Sequence, residues 1–230
     1  MKYIAKDGLI FIILSLILSF AFLFLYYFSS GREMKPGPAA AAYRGVPWFL
    51  ALFILFFILF VFNVFFFRDP ERRVFPKEEE IISPADGRVI FLGEVFDGRF
   101  LKANVIKISI FMSLFNVHVN RTPLSGRVEK IIYNKGKFFS ANLDKASMEN
   151  EYNGIILAHK EKKIAFVQIA GLVARRIVCR IKEGDIVKAG ERFGLIKYGS
   201  RLDVYLPQGF ENYVKVGDKV FSGKTILGRL

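Results

Sequence analysis

A chain of 230 residues is long enough for one folded domain with attachments. Its single cysteine, Cys179, excludes an internal disulfide, and 53% hydrophobic residues is too many for a soluble domain unless the excess is local. A formal net charge of +13 calls for an anionic partner; the basic residues are scattered and no nucleic-acid-binding motif is present, so the partner indicated is an anionic phospholipid membrane and not nucleic acid.

The apolar excess is local. Leu9–Phe28 and Val46–Phe67 are uncharged and almost wholly apolar. Each is about 20 residues long, enough to cross a bilayer core at about 1.5 Å of rise per residue. Neither carries an amphipathic stripe, which argues against two buried helices of a soluble core. Ala39–Ala42 lies too far beyond the first run to serve as a signal-peptide cleavage site, so that run reads as an anchor. The loop between the runs, residues 29–45, contains Pro36, Gly37 and Pro38, and makes the pair a hairpin. Lys2, Lys6, Arg68, Arg72, Arg73 and Lys77 flank its outer ends, against Arg32, Lys35 and Arg44 in the loop. That bias puts both ends in the cytoplasm, in the cell (inner) membrane. The expected division is a membrane hairpin over 1–67 and a β domain over 68–230.

From Ile81 onward the pattern is short strands and glycine turns. Strands are expected over Arg88–Val95, Val105–Ile110, Gly126–Ile132, Gly154–Ala158 and Ile164–Ala170, the last two joined by the charged turn His159–Lys163. One short helix is expected near Asn142–Asn150. Two internal echoes run through this region. Residues 184–190 and 217–223 both read G-D-x-V-x-x-G, and Ser83-Pro84-Ala85-Asp86-Gly87-Arg88-Val89 parallels Thr122-Pro123-Leu124-Ser125-Gly126-Arg127-Val128. Turns of this kind recur in flattened barrels of the biotinyl and lipoyl type, and the repeat reads as pseudo-symmetry within one domain. The predicted class is mostly β, a barrel-sandwich-like domain with one or two short helices behind an N-terminal transmembrane helical hairpin.

Few residues offer chemistry. Cys179 lies in the apolar stretch Ile177-Val178-Cys179 and reads as a small core residue. His159 belongs to a charged turn and reads as a solvated bystander. His118 follows an apolar strand and is the one neutral-pH base suited to Ser200. Asp86, in an Asp-Gly turn, is either an ordinary turn residue or a carboxylate that orients His118. Gly199-Ser200 joins the most permissive backbone residue to a hydroxyl nucleophile, and self-cutting there leaves a ketone. No G-x-S-x-G elbow surrounds Ser200. Three classes stay open on the residues alone: a self-cutting enzyme, a membrane-anchored serine hydrolase using Asp86, His118 and Ser200, and a non-enzymatic tethered barrel.

Five segments in order, Phe66-Phe67-Arg68-Asp69-Pro70, Ser83-Pro84-Ala85-Asp86-Gly87, Asn116-Val117-His118-Val119-Asn120-Arg121, Lys145-Ala146-Ser147-Met148-Glu149-Asn150-Glu151 and Tyr198-Gly199-Ser200-Arg201, resemble the phosphatidylserine decarboxylases in their short bacterial and archaeal form. The resemblance runs from about Phe65 to Val204. It implies a carboxy-lyase made as one proenzyme, cut between Gly199 and Ser200 into a β chain, 1–199, and an α chain, 200–230, that stay together. It implies a pyruvoyl group derived from Ser200 as cofactor, a Schiff base between it and the substrate amine, and no metal. The aminophospholipid substrate is phosphatidylserine, or archaetidylserine in an archaeal host. The family's self-processing serine falls on Ser200, its histidine on His118 and its aspartate on Asp86. Long forms carry a second histidine where this chain has Phe115, so no role for one is carried over. Arg121, Arg175 and Arg176 are candidate phosphate contacts, because guanidinium matches phosphate in a fork. A homo-oligomer is compatible with all of this.

Overall fold

The computed structural model describes residues 3–30, 46–72, 75–136, 150–171, 176–197 and 199–230. It divides into two compact units, Met1–Pro70 and Glu71–Leu230.

The first unit is a pair of helices, α1 (Leu9–Ser30) and α2 (Val46–Phe66). They pack through aromatic rings, with Phe22 stacked on Phe56 at 5.4 Å and Phe11 on Phe67 at 5.7 Å. Ser15 and Ser19 are buried and return their hydroxyls to carbonyls of the preceding turn, which satisfies them without a partner helix. The outer ends of the pair are tied together. Ala5 N–H donates to the Phe67 carbonyl at 2.8 Å and Asp69 N–H to the Tyr3 carbonyl at 2.7 Å. Both helices are long and apolar enough to cross a membrane, and large hydrophobic side chains such as Ile17, Phe24, Ile54 and Ile58 remain exposed along them.

The second unit holds fourteen strands among its described residues: β1 (Glu80–Ile82), β2 (Gly87–Asp97), β3 (Ala103–Met112), β4 (Val119–Arg121), β5 (Gly126–Asn134), β6 (Tyr152–His159), β7 (Lys162–Ala170), β8 (Ile177–Cys179), β9 (Ile186–Val187), β10 (Arg192–Ile196), β11 (Ser200–Pro207), β12 (Glu211–Asn212), β13 (Lys219–Val220) and β14 (Ile226–Arg229). All five strands read from the sequence are present. The expected helix falls on residues 142–149, outside the described ones; Asn150 at its end is buried, with its amide donating to the Ala170 carbonyl at 2.7 Å.

The two echoes become a nested duplication. The large sheet runs β13-β2-β3-β11-β7-β6-β5-β9, and the two small ones run β1-β14-β12 and β4-β10-β8. Each order is preserved when β1, β2, β3, β11, β12, β13 and β14 are exchanged for β4, β5, β6, β7, β8, β9 and β10. The second set is thus a complete copy inserted into the first, between β3 and β11. The turns match in detail. Val89 N–H donates to the Asp218 carbonyl at 2.9 Å and Val128 N–H to the Asp185 carbonyl at 2.8 Å; Gly223 N–H reaches the Ser83 carbonyl and Gly190 N–H the Thr122 carbonyl, each at 2.8 Å. Gly87 and Gly126 correspond as well. A Cβ on either would sit 2.1 Å from the Phe111 carbonyl oxygen or 2.4 Å from that of Ala158, so neither position has room for one.

β11 lies at the centre, paired with β3 on one side and β7 on the other. Leu202, Val204 and Leu206 enter the main core with Ile108, Ile110, Phe166 and Phe193. Burial of each contributes about 1.5–3 kcal/mol. The alternate residues, Arg201, Asp203 and Tyr205, are also buried, on the opposite face. Arg201 Nε donates to Asp203 Oδ1 at 2.6 Å, its Nη2 donates to Ser109 Oγ at 2.7 Å, and Lys107 Nζ lies 3.2 Å from Asp203 Oδ2.

Candidate active site

Ser200 is the first residue of β11 and is fully buried. Its neighbours across the sheet are Met112 and Ala170, and its hydroxyl donates to Met112 Sδ at 3.4 Å. Gly199 before it has φ +75°, in the left-handed region, with only Leu114 Cδ2 at 3.9 Å near the place a Cβ would take. Backbone conformation, not lack of space, therefore requires glycine on the carbonyl side of this bond.

His118 closes the loop between β3 and β4 and is also fully buried. Asn116 shapes that loop: its Oδ1 accepts the Ser113 amide at 2.9 Å and the Ser113 hydroxyl at 2.7 Å. The Asn116 carbonyl lies 3.0 Å from His118 Nδ1, and the Gly199 N–H donates to His118 Nε2 at 3.3 Å. These contacts fix the tautomer. A nitrogen that accepts from a main-chain N–H carries a lone pair, and one facing a carbonyl carries the proton. His118 thus presents a basic Nε2 to the Gly199 amide, one residue before Ser200.

Asp86 lies in the turn between β1 and β2. The Pro84 carbonyl accepts the Arg121 N–H at 2.9 Å, which sets this turn alongside β4, three residues after His118. The described hydrogen bonds of Asp86 run to Arg72 and Ser222. Arg72 Nη1 meets Oδ1 at 2.5 Å and Nη2 meets Oδ2 at 2.8 Å, a buried two-pronged ion pair, and the Ser222 N–H donates to Oδ1 at 2.7 Å. The inserted copy shows which of these the fold itself needs. Ser125, the counterpart of Asp86, accepts the amide of Ala189, the counterpart of Ser222, at 2.9 Å. Capping that turn takes only a hydroxyl; the negative charge at position 86 is additional.

The remaining candidates separate. Arg121 is buried, and its Nη1 donates to the Gly190 carbonyl at 3.0 Å. Arg176 is exposed, and Arg175 lies outside the described residues. Cys179 is half-buried against the core; burial pushes its thiol above the usual range, so it offers no thiolate at neutral pH. His159 is half-buried and not simply solvated, with Nδ1 2.8 Å from the Ser125 carbonyl. Sequence reasoning took Arg72 as a juxtamembrane charge and passed over Met112, Asn120 and Gln168. The last two continue inward from the serine: Asn120 donates to Met112 Sδ at 3.7 Å and accepts from Gln168 Nε2 at 2.9 Å, and both are fully buried. The mismatch of Asp86 with Ser125 between the echoes was the available signal for an added charge. A buried imidazole, a buried hydroxyl and a left-handed glycine thus meet at residues 199 and 200.

The sequence model of the family described as phosphatidylserine decarboxylase matches residues 59–228. A protein of Desulfotalea psychrophila is 49% identical over 180 residues, covering 78% of this chain and 84% of the relative. One from Magnetococcus marinus is 48% identical over 192 residues, covering 83% and 88%. One from Geobacter metallireducens is 47% identical over 206 residues, covering 89% and 94%. All three are named phosphatidylserine decarboxylase proenzyme. The chain belongs to the phosphatidylserine decarboxylase family.

Proposed function

We propose that this family member is made as a proenzyme, severs its own chain between Gly199 and Ser200, and then decarboxylates phosphatidylserine to the ethanolamine phospholipid at a membrane. The observation that carries the reading is the basic Nε2 of buried His118 facing the Gly199 amide beside buried Ser200. The names of the bacterial relatives favour phosphatidylserine over an archaeal diether lipid.

In processing, the Ser200 hydroxyl turns from Met112 and gives its proton to His118 Nε2. The oxygen adds to the Gly199 carbonyl, the C–N bond breaks, and Nε2 returns the proton to the freed amine, leaving an ester. His118 then removes the Cα proton of residue 200, and Gly199 departs as a carboxylate. The dehydroalanine that remains takes up water and loses ammonia, which leaves a ketone at the head of β11. Holding hydroxyl, carbonyl and base together can supply about 7–11 kcal/mol of the barrier. The Asn116 carbonyl keeps the proton on Nδ1, and Asp86, held by Arg72 and the Ser222 amide, serves as a positioning carboxylate in the turn beside β4.

The residues fit a pyruvoyl group. Position 200 opens a central strand, its side chain faces the core, and a base adjoins it. When formed, the group supplies the electron sink for loss of CO₂. His118 holds the proton that replaces the carboxylate. The two apolar helices anchor the chain in the cell membrane with the β unit on the cytoplasmic side, in keeping with their flanking charges. For Arg121, Arg175 and Arg176 the case as phosphate contacts rests on charge alone.

The test is the mass of the C-terminal fragment. Purified protein gives two bands on a denaturing gel; the smaller begins at residue 200, lighter by one ammonia than a chain starting with serine, and phenylhydrazine abolishes CO₂ release. An intact chain labelled at Ser200 by a phosphonate would instead be a serine hydrolase.

A further inference from the structure

We propose that the phosphate of the substrate lipid is seated in a pocket on the outer face of the large sheet, beside the loop that carries His118. The pocket has a volume of about 360 Å³ and is lined by Arg88, Phe111, Ser113, Asn116, Lys219 and Phe221, among others. This inference rests on the decarboxylase reading and adds the residues that bind the head group.

Two features connect the pocket to the cut. Its wall includes Ser113 and Asn116, whose mutual hydrogen bonds shape the loop and whose carbonyl at 116 faces His118. Its floor, Phe111, is the direct cross-strand neighbour of Arg88 on β2 and of Arg201 on β11, the residue joined to Ser200. In a serine phospholipid only three atoms separate the amine from phosphorus, so a head group whose amine reaches residue 200 must place its phosphate nearby.

The charges suit that ligand. No carboxylate is among the described residues that line the pocket. The one described hydrogen bond of the exposed Arg88 guanidinium runs from Nη1 to the Gly217 carbonyl at 2.7 Å, which leaves most of its five donors available. Lys219 is exposed, with no ion pair among the described residues. Guanidinium plus ammonium is a common pairing for a phosphodiester. Two aromatic rings accompany them: Phe221 lines the pocket and is 48% exposed, and Phe115, between Ser113 and Asn116 in the loop, is 71% exposed. Apolar rings next to cations match the boundary between head groups and acyl chains.

The inserted copy argues against incidental surface charge. Its equivalent pocket is lined by Arg127, Val128, Glu129, Ala158 and Gly184. Arg127 corresponds to Arg88, but Ala158 replaces Phe111 as cross-strand partner and Glu129 brings a negative charge. Ile186 replaces Lys219, and Lys188 replaces Phe221. A two-residue turn, Lys160-Glu161, stands where the His118 loop would be. The second cation, the aromatic floor, the aromatic rim and the loop occur together only in the half that holds the cut.

The test uses the full chain in detergent micelles containing phosphatidylserine, with sn-glycerol 3-phosphate as a probe that has a phosphate but no amine. Arg88→Gln with Lys219→Gln is expected to raise KM by about ten- to a hundredfold with little change in kcat, and to weaken glycerol phosphate binding, read by calorimetry, to the same degree. Lys219→Gln alone, which leaves the Gly217 contact intact, gives part of both effects; Arg127→Gln, the counterpart in the inserted copy, gives neither. Phe115→Ala with Phe221→Ala raises KM for micellar lipid and leaves glycerol phosphate binding intact. Wild-type KM and binding in the Arg88/Lys219 variant, or equal losses in Arg127→Gln, would overturn the proposal. Wild-type protein that stays uncut or releases no CO₂ would sink the decarboxylase reading instead, while glycerol phosphate binding would still report on the pocket.

Discussion

At the scale of single residues, Asp86 is the informative case. Its counterpart Ser125 caps the equivalent turn with a hydroxyl, so Ser at 86 is compatible with the local fold. Asp86→Ser alone leaves Arg72 buried without its carboxylate and is expected to cost about 3 kcal/mol. Combined with Arg72→Met, which removes the orphaned cation, it restores most of that loss. Self-cutting in the double variant should still fall by about 100-fold or more, because the carboxylate proposed to position His118 is gone. Thermal unfolding and a timed denaturing gel check the two parts separately; normal cutting would remove Asp86 from the proposed chemistry. The sequence made Asp86, His118 and Ser200 candidates because each is the right chemical type near a glycine turn or strand end. It did not reveal Arg72, Asn116 or Met112, since their contacts depend on chain segments brought together only by folding. Arg72 in particular sits among juxtamembrane charges, where a surface role is the ordinary expectation.

Among the elements, β11 departs most from its local pattern. Leu202, Val204 and Leu206 alternate with Arg201, Asp203 and Tyr205, which spells a strand with one wet face, yet both faces are buried. The explanation lies on β3, where Lys107 and Ser109 meet the charges. Such a match across distant segments is not legible in a local window, whereas the apolar runs of β3, β6 and β7 are. Burial by itself would raise the Asp203 carboxyl, but Arg201 and Lys107 beside it hold it below the usual carboxylate range. A depressed folded-state value means that this group's contribution to stability is present above about pH 4, the ordinary value for aspartate, and is lost as pH falls through the folded-state value. Acid unfolding monitored by circular dichroism should therefore show a loss confined to that low range. Asp203→Asn, which removes the carboxylate facing buried Arg201 and half-buried Lys107, is expected to cost about 3–5 kcal/mol and to remove this acid dependence. An unchanged denaturation midpoint would show that the network contributes nothing.

For the whole molecule, the two apolar runs and the paired echoes were legible because helix length and turn chemistry are local properties. Their arrangement as one copy inside another was not, because β14, β13 and β11, which pair with β1, β2 and β3, lie at the far end of the chain, past the complete second set. The proposed cut falls where the inserted copy ends and the outer copy resumes. The segment 200–230 supplies β11 to β14, which pair with β3, β7, β2 and β1. Among the described residues no ladder spans the Gly199–Ser200 bond, so breaking it interrupts none of the described strands. A protein cut there would be written in an order its two pieces cannot read alone. With the thread unbroken, the central strand is delivered to its slot by a tether; once the pieces drift apart, that slot has to be found by a free peptide, in a sheet that lacks its middle. Uncut Ser200→Ala protein should regain its circular dichroism after dilution from urea, and processed protein should not. On this reading assembly is a one-way passage, with the tether available for the first journey only.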